Sequence, residues 1–179
     1  MARRFLHWPD PALSAVAEPV EAVDAPVRAI WDEMLEVMYA MPGIGLAAPQ
    51  LGIGLRLAVV DAGSERAALR LANPELISAS QDSVAIREAS PNLPGVSEEV
   101  TRPKSVVIRY LDETGVMVTR ELDGLWARSV QHQLDHLDGR LFIDRLSRLR
   151  RQRALERWRK VQRKTARKAV RTMGRKAQA

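Results

Sequence analysis

The stretch Ser129–Gly139, SVQHQLDHLDG, places His132 and His136 four residues apart. On a helix that spacing stacks two imidazoles on one face, one turn apart, where both can reach one cation. In the H-E-x-x-H pattern of metal-dependent hydrolases a glutamate follows the first histidine and moves protons. Here that position holds Gln133, whose amide cannot accept a proton at neutral pH. An isolated pair at this spacing also suits two ordinary histidines. Against that, the chain has only three histidines, and two of them form the pair.

Two further segments have residue types that could serve a site. GIGLAAPQ, Gly43–Gln50, fits G-x-G-x-x-A, but a dinucleotide loop needs a strand before it and a helix after it. Here the order is reversed. The segment reads instead as a tight turn whose glycines permit close approach of backbone or ligand, with Gln50 as its polar group. REASPNLPGVSEEVTRP, Arg87–Pro103, has the prolines and small polar residues of a loop or edge-strand entry, and Glu88 and Arg102 can pair across it.

The elements that must position these residues follow from periodicity. Asp24 can cap a helix with Pro26 in its first turn, and Val27, Ile30, Trp31, Met34, Leu35 and Met38 then recur at helical spacing. Residues 55–63 read as a strand. Residues 105–111 and 116–122 flank DETG and read as a hairpin. Asp123 can cap a helix reaching about Leu137, with Gly139 just past its end. Trp126, Val130, Leu134 and Leu137 form one stripe of that helix, and Leu125, Ser129, His132 and His136 another. A helix occupied on two faces is expected to be central. The element order predicts an α+β domain with largely antiparallel strands.

Composition bounds the function classes. The absence of cysteine excludes disulfides, thiolate ligands and cysteine nucleophiles. No window is apolar enough to span a membrane, and the N-terminus lacks the apolar run of a signal peptide, so a cytoplasmic protein is expected. The net charge of +6 hides an asymmetry. Residues 145–179 hold fifteen Lys/Arg and one acid, Glu156, whereas residues 1–144 hold 13 basic and 21 acidic residues. The expected organisation is a domain over 1–147 and a basic helical extension over 148–179. Leu155, Trp158, Val161, Ala166, Ala169 and Met173 fall on one side of that helix. Arg157, Lys160, Arg163, Lys164, Arg167, Lys168 and Arg171 fall mostly on the other. Such an extension suits a polyanionic partner.

Taken together, the three segments resemble the peptide deformylases, which remove the formyl group from the N-terminal methionine of new polypeptides. Their motifs G-x-G-L-A-A-x-Q, E-G-C-L-S and H-E-x-x-H have counterparts here in the same order. The first is complete in Gly43, Gly45, Leu46, Ala47, Ala48 and Gln50. EASPN, residues 88–92, fills the second, and QHQLDHLDG the third. The resemblance covers residues 1–147. It implies the deformylase fold, with antiparallel strands around the two-histidine helix and formyl-methionyl peptides bound along Gly43, Ile44 and Gly45. It also implies a structural Glu88–Arg102 pair, and ferrous iron or zinc held by His132, His136 and the motif cysteine. It further implies docking of the C-terminal helix on the ribosome, where rRNA phosphates would attract the cations. An anionic membrane surface is the rival partner.

Three departures bear on activity. The cysteine ligand position is Ser90, and a hydroxyl ionises far less readily than a thiol, so metal is expected to be weak or absent. The general-base position is Gln133, and losing a positioned base costs ~10²–10⁴ in rate. The family stabilises the oxyanion with the motif glutamine, here Gln50, and with a backbone N–H at the position of Pro91, which has none. One lost oxyanion donor costs ~10²–10³, and such losses need not multiply. The expectation is impaired or absent deformylase activity. The alternatives are a working hydrolase with unusual ligands, with Glu88 as a replacement ligand, and a basic RNA- or membrane-surface protein that uses the fold as a scaffold.

Overall fold

A computed structural model of the chain describes residues 5–41 and 43–176, with side chains described through Arg167. The first helix, α1, spans Ala25–Ala40, and Asp24 caps it by accepting a hydrogen bond from the Val27 N–H at 3.0 Å. Seven strands follow: β1 (Gly45–Ala47), β2 (Leu57–Val60), β3 (Leu69–Ala79), β4 (Ser83–Ala89), β5 (Ser97–Pro103), β6 (Ser105–Leu111) and β7 (Met117–Asp123). Helix α2 spans Gly124–Leu137 and α3 spans Arg148–Lys176.

Strands β1-β2-β3-β6-β7 form one sheet in that order, and β4 and β5 form a separate hairpin. Every pairing is antiparallel. The α+β expectation therefore holds. The hairpin at 105–111 and 116–122 also lies within a residue of β6 and β7.

Strand β2 shows why the sheet is central. All four of its residues are buried, and successive side chains point to opposite faces. Ala58 and Val60 pack with Val130, Leu134 and Leu137 of α2. Leu57 and Val59 pack with Val27, Trp31 and Met34 of α1. The short apolar run thus has a helix on each side. The second helix begins after Asp123, but the Asp123 side chain makes no capping hydrogen bond. It ends as expected at Leu137, with Gly139 just past its end at φ +69°. A Cβ there would also sit 2.6 Å from the Ser14 carbonyl oxygen, so glycine is required twice over.

A third apolar cluster joins the β4–β5 hairpin to the start of α3. Leu93, Val96 and Val100 pack with Phe142, Ala154 and Leu155, and Trp158 packs against them. Trp158 also meets Trp8 edge-on, with ring centroids 4.8 Å apart, and Val161 lies against Gly95. Arg150 donates to Glu98 at 3.0 Å and to the Glu99 carbonyl at 2.9 Å, and Arg157 also pairs with Glu98. The apolar stripe is therefore seated on the hairpin as far as Val161. Ala166, expected to continue it, is exposed, and Arg157 is not on a free cationic face. The side chains of Lys168, Ala169, Arg171 and Met173 lie outside the described residues.

Candidate functional site

Three elements converge on one cavity of about 240 Å³. Gly43, Ile44 and Gly45 enter from the segment leading into β1, and Gln50 from the 3-10 turn behind it. Glu88 and Pro91 come from the end of β4, and His132 and Gln133 from α2. The approach of β1 to α2 needs glycine at 45. A Cβ there would lie 2.5 Å from Ser129 Oγ and 2.6 Å from Gln133 Nε2, inside any allowed contact. Ser129 Oγ donates to the Ile44 carbonyl at 3.2 Å and ties the two elements together.

The two histidine rings lie with centroids 5.0 Å apart. His132 Nδ1 sits 2.9 Å from Glu88 Oε2. Burial opposes ionisation of Glu88, but hydrogen bonds from Arg102 and His132 outweigh it and lower its pKa to about 2. An ionised carboxylate only accepts, so His132 Nδ1 carries the proton that faces Glu88. His136 is fully buried. Burial first, and then the neighbouring His132 and Arg102, push its pKa well below the ordinary value, so the ring is neutral. Neither of its nitrogens has a hydrogen-bond partner, nor does the buried Gln133 Oε1.

Behind His132 runs a chain of charges, buried from Glu88 through Arg102 to Asp135 and ending on the exposed Arg145. Arg102, which is 1% exposed, donates through Nη2 to Glu88 Oε2 at 2.8 Å and through Nε to Oε1. Its Nη1 lies 2.9 Å from Asp135 Oδ2. Arg145 grips Asp135 with two hydrogen bonds, of 2.7 and 2.6 Å. Asp135, the carboxylate nearest in sequence to the missing base, is thus committed to two arginines. Glu88, considered above as a replacement ligand, is committed to Arg102 and His132.

Ser90 is buried, and its hydroxyl donates to Asn92 Oδ1 at 2.8 Å. It is not among the residues lining the cavity. A hydrolytic metal needs three protein ligands with an open position. His132 and a neutral His136 face each other here, and the third position is a serine hydroxyl turned toward Asn92 and outside the lining of the cavity. Among the described residues, no group of three or more His, Cys, Asp or Glu side chains is placed to hold a metal ion. The side chains present fit such a metal poorly, although the unpartnered nitrogens of His136 are free for one.

A family model described as polypeptide deformylase matches residues 2–152. The chain belongs to the polypeptide deformylase family. It is 45% identical over 161 residues to a peptide deformylase of Phenylobacterium zucineum, covering 88% of this chain and 95% of that one. It is 41% identical over 161 residues to a Brucella melitensis protein named peptide deformylase-like, covering 90% and 98% of the two chains. Among solved structures, a peptide deformylase from Legionella pneumophila superposes with a TM-score of 0.85 at 36% identity, covering 93% of this chain and 99% of that one. The fold and the family of metal-dependent hydrolases are therefore established for this chain. Among the described residues, no helix is long and apolar enough to cross a membrane.

Sequence reasoning missed Asn92, Arg145 and the half-buried Arg128, which lies between this cavity and a second one of about 530 Å³. Asn92 did carry a signal, because it stands where the family motif has serine. Arg145 carried none, since it begins a run of cations that read as one surface.

Proposed function

We propose that this chain is a deformylase-fold protein of the cytoplasm that binds formyl-methionyl peptide ends with little or no hydrolysis. The observation that supports this most is the turn of the Ser90 hydroxyl toward Asn92, with no group of three His, Cys, Asp or Glu side chains placed to hold a metal among the described residues. The replacements at 91 and 133 act in the same direction. Pro91 offers no N–H to an oxyanion, and Gln133 has no basic site for the proton of an attacking water. What is retained suits binding. The cavity is open between Gly43–Gly45 and His132, and Gln50 still faces it. The buried Gln133 Oε1 is a vacant acceptor, suited to the amide N–H of a blocked N-terminus. His132 Nε2 and His136 are the donors that would hold ferrous iron or zinc, weakly. A bound metal would supply an activated water, and its loss would leave binding intact.

We extend the proposal to the C-terminal helix. Arg153, Arg159, Lys160, Arg163, Lys164 and Arg167 are exposed and none has an acidic partner among the described residues. They suit the phosphates of ribosomal RNA. Residues 1–147 with the docked first turns of α3 would then act as the peptide-binding body, and the remainder of the helix as the anchor.

One specific observation favours a second reading, a working hydrolase with unusual ligands. A buried imidazole with two unpartnered nitrogens would gain from a metal. Calorimetric titration with a formyl-Met tripeptide, before and after chelation, separates the two. The proposal expects the same affinity in both states, whereas binding that disappears with the metal would support the hydrolase.

A further inference from the structure

Asn92 is completely buried, and its side-chain amide bonds to three groups. Its Nδ2 donates to the Leu6 carbonyl at 2.7 Å. A carbonyl only accepts, so this contact fixes which way the amide faces. Oδ1 then points inward and accepts two hydrogen bonds, from Gln50 Nε2 at 2.7 Å and from Ser90 Oγ at 2.8 Å. The Gln50 amide is oriented in the same manner, because its Oε1 accepts from the Ala47 backbone N–H at 2.8 Å. Backbone bonds from Leu6 N to Gln50 O and from Trp8 N to Asn92 O, both 2.9 Å, stitch this cluster to the N-terminal segment.

We infer that Asn92 is a positioning residue, a further replacement in the site beside those at 90, 91 and 133. It holds the Gln50 amide with one N–H spent on Asn92 and the other left for the cavity, and it draws the Ser90 hydroxyl out of the site. Two hydrogen bonds into Oδ1 fill that oxygen. The Ser90 hydroxyl has a single hydrogen, and Asn92 takes it. Gln50 has two, and only one is taken. With proline at 91, this second Gln50 N–H is the donor left where the family stabilises its substrate carbonyl. Its direction is set by two bonds, one from the Ala47 N–H into Gln50 Oε1 and one from Gln50 Nε2 to Asn92, and Asn92 supplies the acceptor at the nitrogen end. Departure from the motif at 92 thus trades a ligand position for a rigid binding donor.

The consequence for ligand binding rests on the reading of the cavity as a formyl-methionyl site, whereas the clamp itself does not. The test is nuclear magnetic resonance of the Gln50 side-chain amide in the intact 20.0 kDa chain, with thermal unfolding as the control for folding. In the parent protein the two Nε2 protons should be well separated, and the one facing Asn92 protected from exchange. Asn92→Ala should collapse this separation and speed exchange at least roughly tenfold, as loss of a buried hydrogen bond demands. Asn92→Asp keeps an oxygen toward Gln50 but loses the Nδ2 donor to the Leu6 carbonyl, so it should restore the signature in part, between the parent and Asn92→Ala. If Asn92→Ala does not fold, Asn92→Ser, which is too short to span the same gap, replaces it. An unchanged Gln50 signature in a folded Asn92→Ala or Asn92→Ser chain would overturn the inference. Formyl-Met-Ala-Ser should bind Asn92→Ala roughly threefold to tenfold more weakly than the parent, and equal affinity would remove Gln50 from recognition. A parent chain that binds no such peptide would defeat the proposed function, while the amide signature would still decide the role of Asn92.

Discussion

Replacing Glu88 with Gln should destabilise the protein at neutral pH and make no difference in strong acid. Glu88 titrates at about 2 in the folded chain, against an ordinary 4.5. Each factor of ten in proton affinity is worth about 1.4 kcal/mol. Ionised Glu88 therefore contributes about 3 kcal/mol at pH 7 through its bonds to Arg102 and His132. The folded value lies below the unfolded one, so this contribution is complete above about pH 4.5 and is lost as the pH falls to about 2. Glu88→Gln removes the charge at every pH and should behave like the acidified parent. Urea unfolding of both chains, with chelator present, should show a gap of about 3 kcal/mol at pH 7 that closes progressively below pH 4.5. His136 adds a slope shared by both chains. Held neutral by burial, it resists protonation that the unfolded chain accepts, so both lose stability as the pH falls below its ordinary value of 6.5. A gap between the two chains that stays constant from pH 7 to pH 2.5 would refute the buried ion pair as its cause.

Gly45→Ala drives a methyl into Ser129 Oγ and Gln133 Nε2. It should cost about 1–3 kcal/mol and weaken peptide binding, as unfolding and calorimetry will show; a neutral outcome would mean that β1 and α2 are less closely packed than described. Trp158→Ala removes the edge contact with Trp8 and part of the third apolar cluster. It should lower stability by roughly 2–4 kcal/mol and leave the Gln50 amide signals in place. For the anchor, truncation should remove residues 164–179 and not begin at 148, because Ala154 and Leu155 are buried in the body. That chain should fold normally yet lose low-salt sedimentation with ribosomes, and the parent's binding should weaken steeply as salt rises. Equal sedimentation would exclude the distal helix, and transfer of binding to anionic vesicles would favour the membrane reading.

Much of the fold was legible because its signals are local. Alternation, helical spacing, the Asp24 cap and Gly139 specify elements from nearest neighbours, and the β6–β7 hairpin announces itself through DETG. Strands β3 to β5 were harder. Asn73, Pro74 and the register shifts between β3 and β6 interrupt alternation, and the Arg87–Pro103 segment, read as a loop or an edge-strand entry, holds the end of β4, a turn over residues 90–96 and all of β5. The motifs brought Gly43, Ile44, Gly45, Gln50, Glu88, Pro91, His132 and Gln133 to one cavity, but their hydrogen-bond partners could not be read. Whether Ser90 faces the histidines or Asn92 depends on Leu6, some 80 positions away in the chain, holding the Asn92 amide. The charge chain through Arg145 likewise closes only in three dimensions. A cation-rich tail offers no local mark distinguishing the arginine that reaches inward from those that stay in water.

The central claim, a deformylase fold that binds without turning over, is tested most directly by formyl-Met-Ala-Ser hydrolysis on the purified chain. Ferrous iron, nickel and zinc are each added in excess under anaerobic conditions. Alongside it, the Ser90→Cys, Pro91→Leu, Gln133→Glu chain is assayed in the same metals. The account predicts a parent rate at least ~10²-fold below that of the reverted chain, in line with the loss of a positioned base. Parent turnover equal to the reverted chain in any of the three metals would contradict it.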